Sequence, residues 1–146
     1  FWKLHIEYQQ IQVKWFKGAA KKGHSCGQFL LGVCFDRGDG VEQNKSKAVK
    51  WYQRAAVQGH VDALFNLGWC FAKGEGVKQD KSEAVMLYQM AAGQGNMIAQ
   101  FNLGLRFDNG NGVKQDKVEA MKWYQMAAEQ GHAVAQSKLK QLETQH

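Results

Sequence analysis

The chain has 146 residues, within the size range of one cooperative domain, and a composition of 45% hydrophobic and 22% charged residues is typical of a globular protein. No run of eighteen apolar residues is present, which excludes a membrane-spanning helix, and three cysteines are too few for a disulfide framework. Proline is absent and glycine occurs sixteen times, which favours helices separated by glycine turns.

The first predicted element in chain order is a helix over residues 8–23, which corresponds to the second helix of the later repeats. Residues 1–7 lack the glycine turn that precedes this helix elsewhere, and the stretch from Phe1 to Ile6 is apolar. Because the chain begins with Phe1 and not with Met, we expect further chain upstream. An apolar N-terminal edge of this kind also offers a surface for self-association.

Three full copies of a 36-residue unit follow, over residues 24–59, 60–95 and 96–131. A shift of 36 residues aligns the Gly-x-Gly-Val segments at 38–41, 74–77 and 110–113, and the Ala-Ala pairs at 55–56, 91–92 and 127–128. Self-similarity at one fixed period predicts a stack of structural repeats within a single domain over residues 1–146.

Each copy is predicted to form two helices. In the middle copy Ala63, Leu67 and Phe71 recur at i, i+4 and i+8, which places one apolar stripe on the first helix. Gly68 lies inside that helix and indicates a close approach by a neighbouring helix.

Helix caps are predicted at equivalent positions of the copies. Asp80 and Asp116 are expected to N-cap the second helices, with Glu83 and Glu119 completing a capping box, and Asn44 takes the same position in the first copy. The residues that precede the first helices are expected to have a cap or turn role and not to bind a metal; they are His24, His60, Asn96 and His132.

Residues 132–146 are predicted to form a C-terminal capping helix. It keeps Ala135 and Leu139 of the apolar stripe, whereas Lys140 and Glu143 replace the glycine and the phenylalanine of the full copies. The result is the polar outer face expected at the end of a repeat stack, so we expect this terminus to be the native one.

The residues of the middle copy match a known family. The pattern is Ala63, Phe65, Leu67, Gly68, Phe71, Gly74, Gly76, Val77, Asp80, Ala84, Tyr88, Ala91, Ala92 and Gly95. It closely resembles the Sel1-like repeat, a relative of the tetratricopeptide repeat, over about residues 8–142. The resemblance implies an all-α fold, a right-handed α/α superhelical solenoid of helix-turn-helix repeats in which the first helices line a concave groove. It also implies an adaptor in multiprotein assembly, especially in bacteria.

The predicted binding site is the row of first-helix residues that faces away from the apolar stripe and differs between copies. It comprises Leu30, Val33, Arg37, Asp62, Asn66, Trp69, Lys73, Ile98, Asn102, Leu105, Asn109 and Lys138. Trp69 is expected to anchor a partner, because large aromatic side chains dominate interface energetics. Packing of Trp69 between repeats is the alternative. Asn66 and Asn102 are expected either to clamp a peptide backbone or to bond locally.

We therefore predict a scaffold or adaptor that binds a protein or peptide partner, without catalytic residues, a metal site or a cofactor. Nucleic acid is not an expected partner, because the lysines are spread along the chain and acidic residues are interleaved among them. Membrane insertion is not expected either.

Two alternative functions stay open at the level of sequence. One is an immunity-type inhibitor of a bacterial toxin enzyme, for which a net charge of +6 would suit an acidic target. The other, more remote, is an enzyme that acts on cell-wall peptides. The sequence leaves the periplasm and the cytoplasm open as compartments.

Overall fold

The structure is a computed structural model that describes residues 1–145 and consists of two compact units, unit 1 from Phe1 to Gln79 and unit 2 from Asp80 onward. Its helices are α1 (Trp2–Lys21), α2 (Ser25–Arg37), α3 (Lys45–Val57), α4 (Val61–Lys73), α5 (Lys81–Gly93), α6 (Met97–Asn109), α7 (Lys117–Glu129) and α8 (Ala133–Glu143). Residues 1–145 contain no strand. The prediction of an all-α fold of helix-turn-helix repeats is confirmed.

Helix α1 is longer than predicted, since it begins at Trp2 and not near residue 8. No glycine or proline occurs before Gly18, so nothing in residues 2–17 ends the helix. Its buried Val13 and Ala20 belong to the same core cluster as Leu31 of α2.

The two glycines of the Gly-x-Gly turn have separate roles, one at the end of the helix and one in the packing of the turn. Gly38 is the C-cap of α2 and has a φ of +78°, in the left-handed region that disfavours a side chain. Gly40 also has a positive φ, and a Cβ on it would lie only 2.6 Å from the carbonyl oxygen of Gln9 in α1. The turn therefore packs directly on the backbone of the preceding helix.

The predicted N-caps of the second helices are confirmed. The side chains of Asn44, Asp80 and Asp116 each accept a hydrogen bond from the backbone N–H three residues on. At the first helices the Nδ1 atoms of His60 and His132 accept the equivalent bonds, at 3.2 and 3.1 Å. Asn96 does the same with its side-chain oxygen, whereas the N-cap residue His24 makes no such bond.

The prediction that Glu119 completes a capping box is wrong. The backbone N–H of Asp116, which the glutamate was expected to bind, donates instead to the carbonyl of Phe107 at 2.9 Å. The Glu119 carboxylate accepts hydrogen bonds from Lys122 and from the indole of Trp123, each at 3.1 Å. Because the N–H of Asp116 is already hydrogen-bonded to Phe107, the Glu119 carboxylate instead accepts hydrogen bonds from side chains of its own helix, α7.

Each unit contains a glycine against a buried tyrosine ring. In unit 1 a Cβ on Gly32 would lie 2.7 Å from the ring of Tyr52, and in unit 2 a Cβ on Gly104 would lie 2.6 Å from the ring of Tyr124. Both tyrosines are fully buried. The close approach that we predicted from the helical glycines is therefore confirmed at these two positions.

Candidate functional site

Helix α4 presents Trp69 on the side opposite its buried face. Ala63, Leu67 and Cys70 are buried, whereas the Trp69 side chain is 41% exposed. The positions at i, i+4, i+7 and i+11 form one row on that side, which we name the Trp69 row; it consists of Asp62, Asn66, Trp69 and Lys73. The sequence predicted that these four residues share one row, and all four lie on α4.

A cation covers part of the exposed indole. The Nζ atom of Lys73 lies 4.9 Å from the centroid of the Trp69 ring, a cation–π contact along one helix turn. Asp62 and Lys73 are exposed at the two ends of the row. The row thus combines an aromatic surface with a carboxylate at one end and an ammonium group at the other.

Asn66 is half-buried and interacts with the interior of unit 1. Its side chain lies near the hydroxyl of Tyr52, which donates to the carboxylate of Asp36 at 3.3 Å. Burial raises the pKa of the Tyr52 phenol far above its ordinary value, a shift that the nearby Asn66 amide partly opposes. Asn66 therefore faces the interior of unit 1 in part, although some of its side chain remains accessible.

The α2 part of the predicted row also lies in unit 1. Leu30 is 38% exposed, Val33 is half-buried and Arg37 is exposed. Unit 1 thus contains seven of the twelve predicted site residues, on α2 and α4.

Unit 2 contains the other five predicted site residues. Ile98 and Asn109 are exposed, while Lys138 on α8 is half-buried. Leu105 packs against the core cluster of this unit, so part of its side chain has a structural role. The Asn102 amide donates to the carbonyl of Ile98 at 2.9 Å, which is the local bond that the sequence had left as an alternative.

An ionic network in each unit was not predicted from the sequence. In unit 2 the Asp108 carboxylate accepts hydrogen bonds from Lys117 at 2.5 Å and from the Tyr124 hydroxyl at 3.0 Å. Burial raises the pKa of Asp108, but the bonds from Lys117 and Tyr124 outweigh it, so the pKa lies below its ordinary value. Asp36, Lys45 and Tyr52 form the equivalent network in unit 1.

The signal for these networks was present in the repeat alignment. One position of the repeat is aspartate in the first and third copies, Asp36 and Asp108, and alanine in the second, Ala72. A second position is lysine in every copy, namely Lys45, Lys81 and Lys117. The partners lie nine residues apart across a turn. The periodicity of a single helix therefore does not reveal that the aspartate and the lysine form a pair.

No group of three His, Cys, Asp or Glu side chains within residues 1–145 is placed to hold a metal ion. The cysteines are free, with Cys26 exposed and Cys34 and Cys70 buried, and burial raises the pKa of the Cys70 thiol to about 11. Over the same residues, no helix is both long and apolar enough to cross a membrane.

A family model described as Sel1 repeat matches residues 27–60, 61–96 and 98–132. A comparison with curated protein sequences finds no match.

Solved structures are similar to this chain over most of its length. A protective antigen present in uropathogenic Escherichia coli strains, which displays an SLR fold, is 40% identical, with a TM-score of 0.82 over 84% of this chain and 26% of its own. A Sel1 repeat protein from Oxalobacter formigenes is 39% identical, with a TM-score of 0.84 over 90% of this chain and 54% of its own. The chain thus spans about a quarter and about half of these relatives.

A third similar structure is Helicobacter pylori cysteine rich protein B, at 22% identity and a TM-score of 0.72, over 92% of this chain and 96% of its own. This likeness concerns the fold alone.

Proposed function

Because this chain belongs to the Sel1 repeat family, whose members are typically non-catalytic scaffolds for protein interaction, we propose that it binds a protein or peptide partner through the Trp69 row. The observation that supports this proposal is the exposed indole of Trp69 on a helix whose opposite face is buried. The core of the repeat does not require it, since the other full copies have Val33 and Leu105 at this position.

The chemistry of the row suits a peptide with an apolar anchor and mixed polar contacts. A tryptophan combines a large apolar area with few rotatable bonds, so little entropy is lost when a partner covers it. Asp62 and Lys73 provide a polar rim of both signs, which favours one orientation of a bound segment. Leu30 adds apolar surface on α2 of the same unit.

The test selects peptides from a random library on the immobilised chain and measures their affinity for variants. Truncation of a tryptophan anchor costs about 2 kcal/mol or more of binding free energy. Trp69→Ala should therefore lower the affinity of the selected peptides by roughly 30-fold or more. Met126→Ala on α7 is the matched control, because the Met126 side chain is 42% exposed, and it should leave their affinity unchanged. Circular dichroism of both variants should match the parent chain, since Trp69 is not a core residue.

Peptides that bind Trp69→Ala as well as they bind the parent chain would overturn the assignment of the Trp69 row.

A second candidate function is self-association through α1, and a specific row of exposed residues favours it. Spaced alternately by three and four residues, its members are Phe1, Leu4, Tyr8, Ile11 and Trp15, and all five are exposed. This is the a and d spacing of a coiled-coil seam. The three aromatic residues from two copies would together bury on the order of 1,000 Å², which approaches the area of a specific interface.

The flanking charges of α1 favour an antiparallel pair. In that arrangement Leu4 of one copy packs on Trp15 of the other, and Tyr8 on Ile11. The flanking Glu7 then lies beside Lys14 of the second copy, twice by symmetry. A parallel pair would instead place Glu7 beside the uncharged Gln12.

A further inference from the structure

An open cleft of about 440 Å³ lies on unit 1, between α1, α2 and α3. Its floor is apolar and consists of Leu31, Phe35 and Trp51. Five cationic side chains surround that floor; these are Lys17 and Lys21 from α1 and Lys47, Lys50 and Arg54 from α3. We name this site the basic cleft.

The charge of the basic cleft is not neutralised within the protein. Its lining contains no carboxylate. None of its five cations forms an ion pair with any residue in the described part of the chain, whereas Lys45 pairs with Asp36 and Lys122 with Glu119. Like charges around one cleft repel each other, and a bound anionic group relieves that repulsion.

Two of the cations lie over the aromatic rings. The Arg54 guanidinium is 4.6 Å from the centroid of the Trp51 ring, and Lys47 Nζ is 5.5 Å from that of Phe35. These contacts favour positions of the cations close to the apolar floor. They also occupy ring faces on which nucleic-acid bases would have to stack, so the cleft suits carboxylates beside an apolar group better than a single strand.

The repeat itself provides an internal comparison. Seventy-two residues along, in unit 2, the floor is kept as Leu103, Phe107 and Trp123. The positions of the five cations are taken there by Gln89, Gly93, Glu119, Lys122 and Met126. The single lysine is paired with Glu119 at 3.1 Å. The fold therefore needs the apolar floor, but it does not need the cations.

We propose that the basic cleft is a second binding site of this chain and that its ligand is an acidic peptide segment with one large apolar side chain. The apolar side chain packs on the floor, while flanking carboxylates bind the ammonium and guanidinium groups of α1 and α3. The site is formed by other residues than the Trp69 row, so it does not depend on the function proposed above.

The test measures binding of a fluorescent peptide, with glutamates flanking one central phenylalanine, to the full chain by fluorescence anisotropy. Lys50→Glu with Arg54→Glu should weaken binding at least tenfold. Lys114→Glu with Lys122→Glu in unit 2 changes the net charge equally and should have little effect. Replacement of the peptide's phenylalanine by alanine should also weaken binding, and added salt should weaken it further.

Three comparisons distinguish binding in the basic cleft from binding at the Trp69 row, from attraction by net charge and from binding of nucleic acid. Trp69→Ala should bind the acidic peptide as the parent chain does, so that failure of the Trp69 row and failure of the basic cleft remain distinguishable. Equal losses in the two charge-reversal variants would overturn the proposal, because net charge alone would then account for binding. Tighter binding of a single-stranded oligonucleotide of equal charge would overturn it as well.

Discussion

At the scale of single residues, the helical glycines show how a missing side chain determines packing. Gly104 admits the ring of Tyr124, and an added Cβ would lie 2.6 Å from it. The ring is fully buried, so it has no free space into which it can move. Even alanine is therefore destabilising at this position, although alanine is the better helix former.

We expect Gly104→Ala to lower the free energy of unfolding by about 1–3 kcal/mol, the usual cost of an overpacked core. Urea unfolding followed by circular dichroism measures the change. Gly93→Ala in α5 is the matched control, because no atom lies within 4 Å of its added Cβ. That variant should be neutral or slightly more stable. If both variants lose stability equally, the ring contact is not the cause.

The environment of Trp69 was harder to predict than that of the glycines. Comparison of the copies shows that this position of the first helix varies and that only the middle full copy has an aromatic residue there. The comparison does not show how much of the side chain is exposed. The spacing that puts it opposite Leu67 equally allows contact with another element. Only the fold decides how much of the ring stays in contact with water, and 41% of the side chain does.

At the scale of helices, Asp108 joins α6 to α7 through Lys117 and Tyr124. Its pKa is lower in the folded chain than its ordinary value. A carboxyl of this kind stabilises the fold above its unfolded pKa of about 3.9, and that contribution is lost as the pH falls through the lower folded value. The link between α6 and α7 should therefore weaken in acid.

Asp108→Asn should lower the free energy of unfolding at neutral pH by about 1–3 kcal/mol, as expected for loss of a charged hydrogen-bonded group. The difference from the parent chain should begin to shrink below about pH 4, where the carboxyl of the unfolded chain takes up a proton, and should disappear as the pH falls through the lower folded pKa. Urea unfolding at a series of pH values measures it, with Asp62→Asn at an exposed site as the control. A difference that is constant from neutral to acid pH would contradict the assigned network.

Helix boundaries and caps were largely predictable because their causes are local. Glycine turns and N-cap side chains act within three or four residues, so the sequence shows both partners together. The network of Asp108 and the reciprocal bond expected of Glu119 differ in this respect. Each depends on where the turn brings the chain back, and the N–H of Asp116 was already bound to Phe107.

At the scale of the whole molecule, the net charge is unevenly distributed along the chain. Residues 1–79 contain twelve of the nineteen Lys and Arg residues but only six of the thirteen Asp and Glu residues. The remaining residues contain seven of each and are neutral. The sequence suggested a scattered basic character, because residues 17, 21, 47, 50 and 54 form one cleft only after α1 and α3 pack on α2.

Self-association is likewise a property of the whole molecule, and sedimentation velocity measures it. The chain should dimerise with increasing concentration, and Trp15→Glu should make it monomeric. Glu7→Lys alone should weaken the dimer by creating like-charge contacts, while Glu7→Lys combined with Lys14→Glu should restore it. A chain that stays monomeric, or a double variant no better than the single one, would contradict the antiparallel pair.

The buried thiols of unit 1 give this protein a natural reporter of its own opening. Alkylating reagents react with the thiolate, and burial raises the pKa of Cys34 and Cys70 while it also blocks access to them. Exposed Cys26 should be labelled first. Later mass increments would then report the rate at which local opening of α2 or α4 makes Cys34 or Cys70 accessible. Local opening rates in the native chain thus become readable by mass spectrometry without an engineered probe.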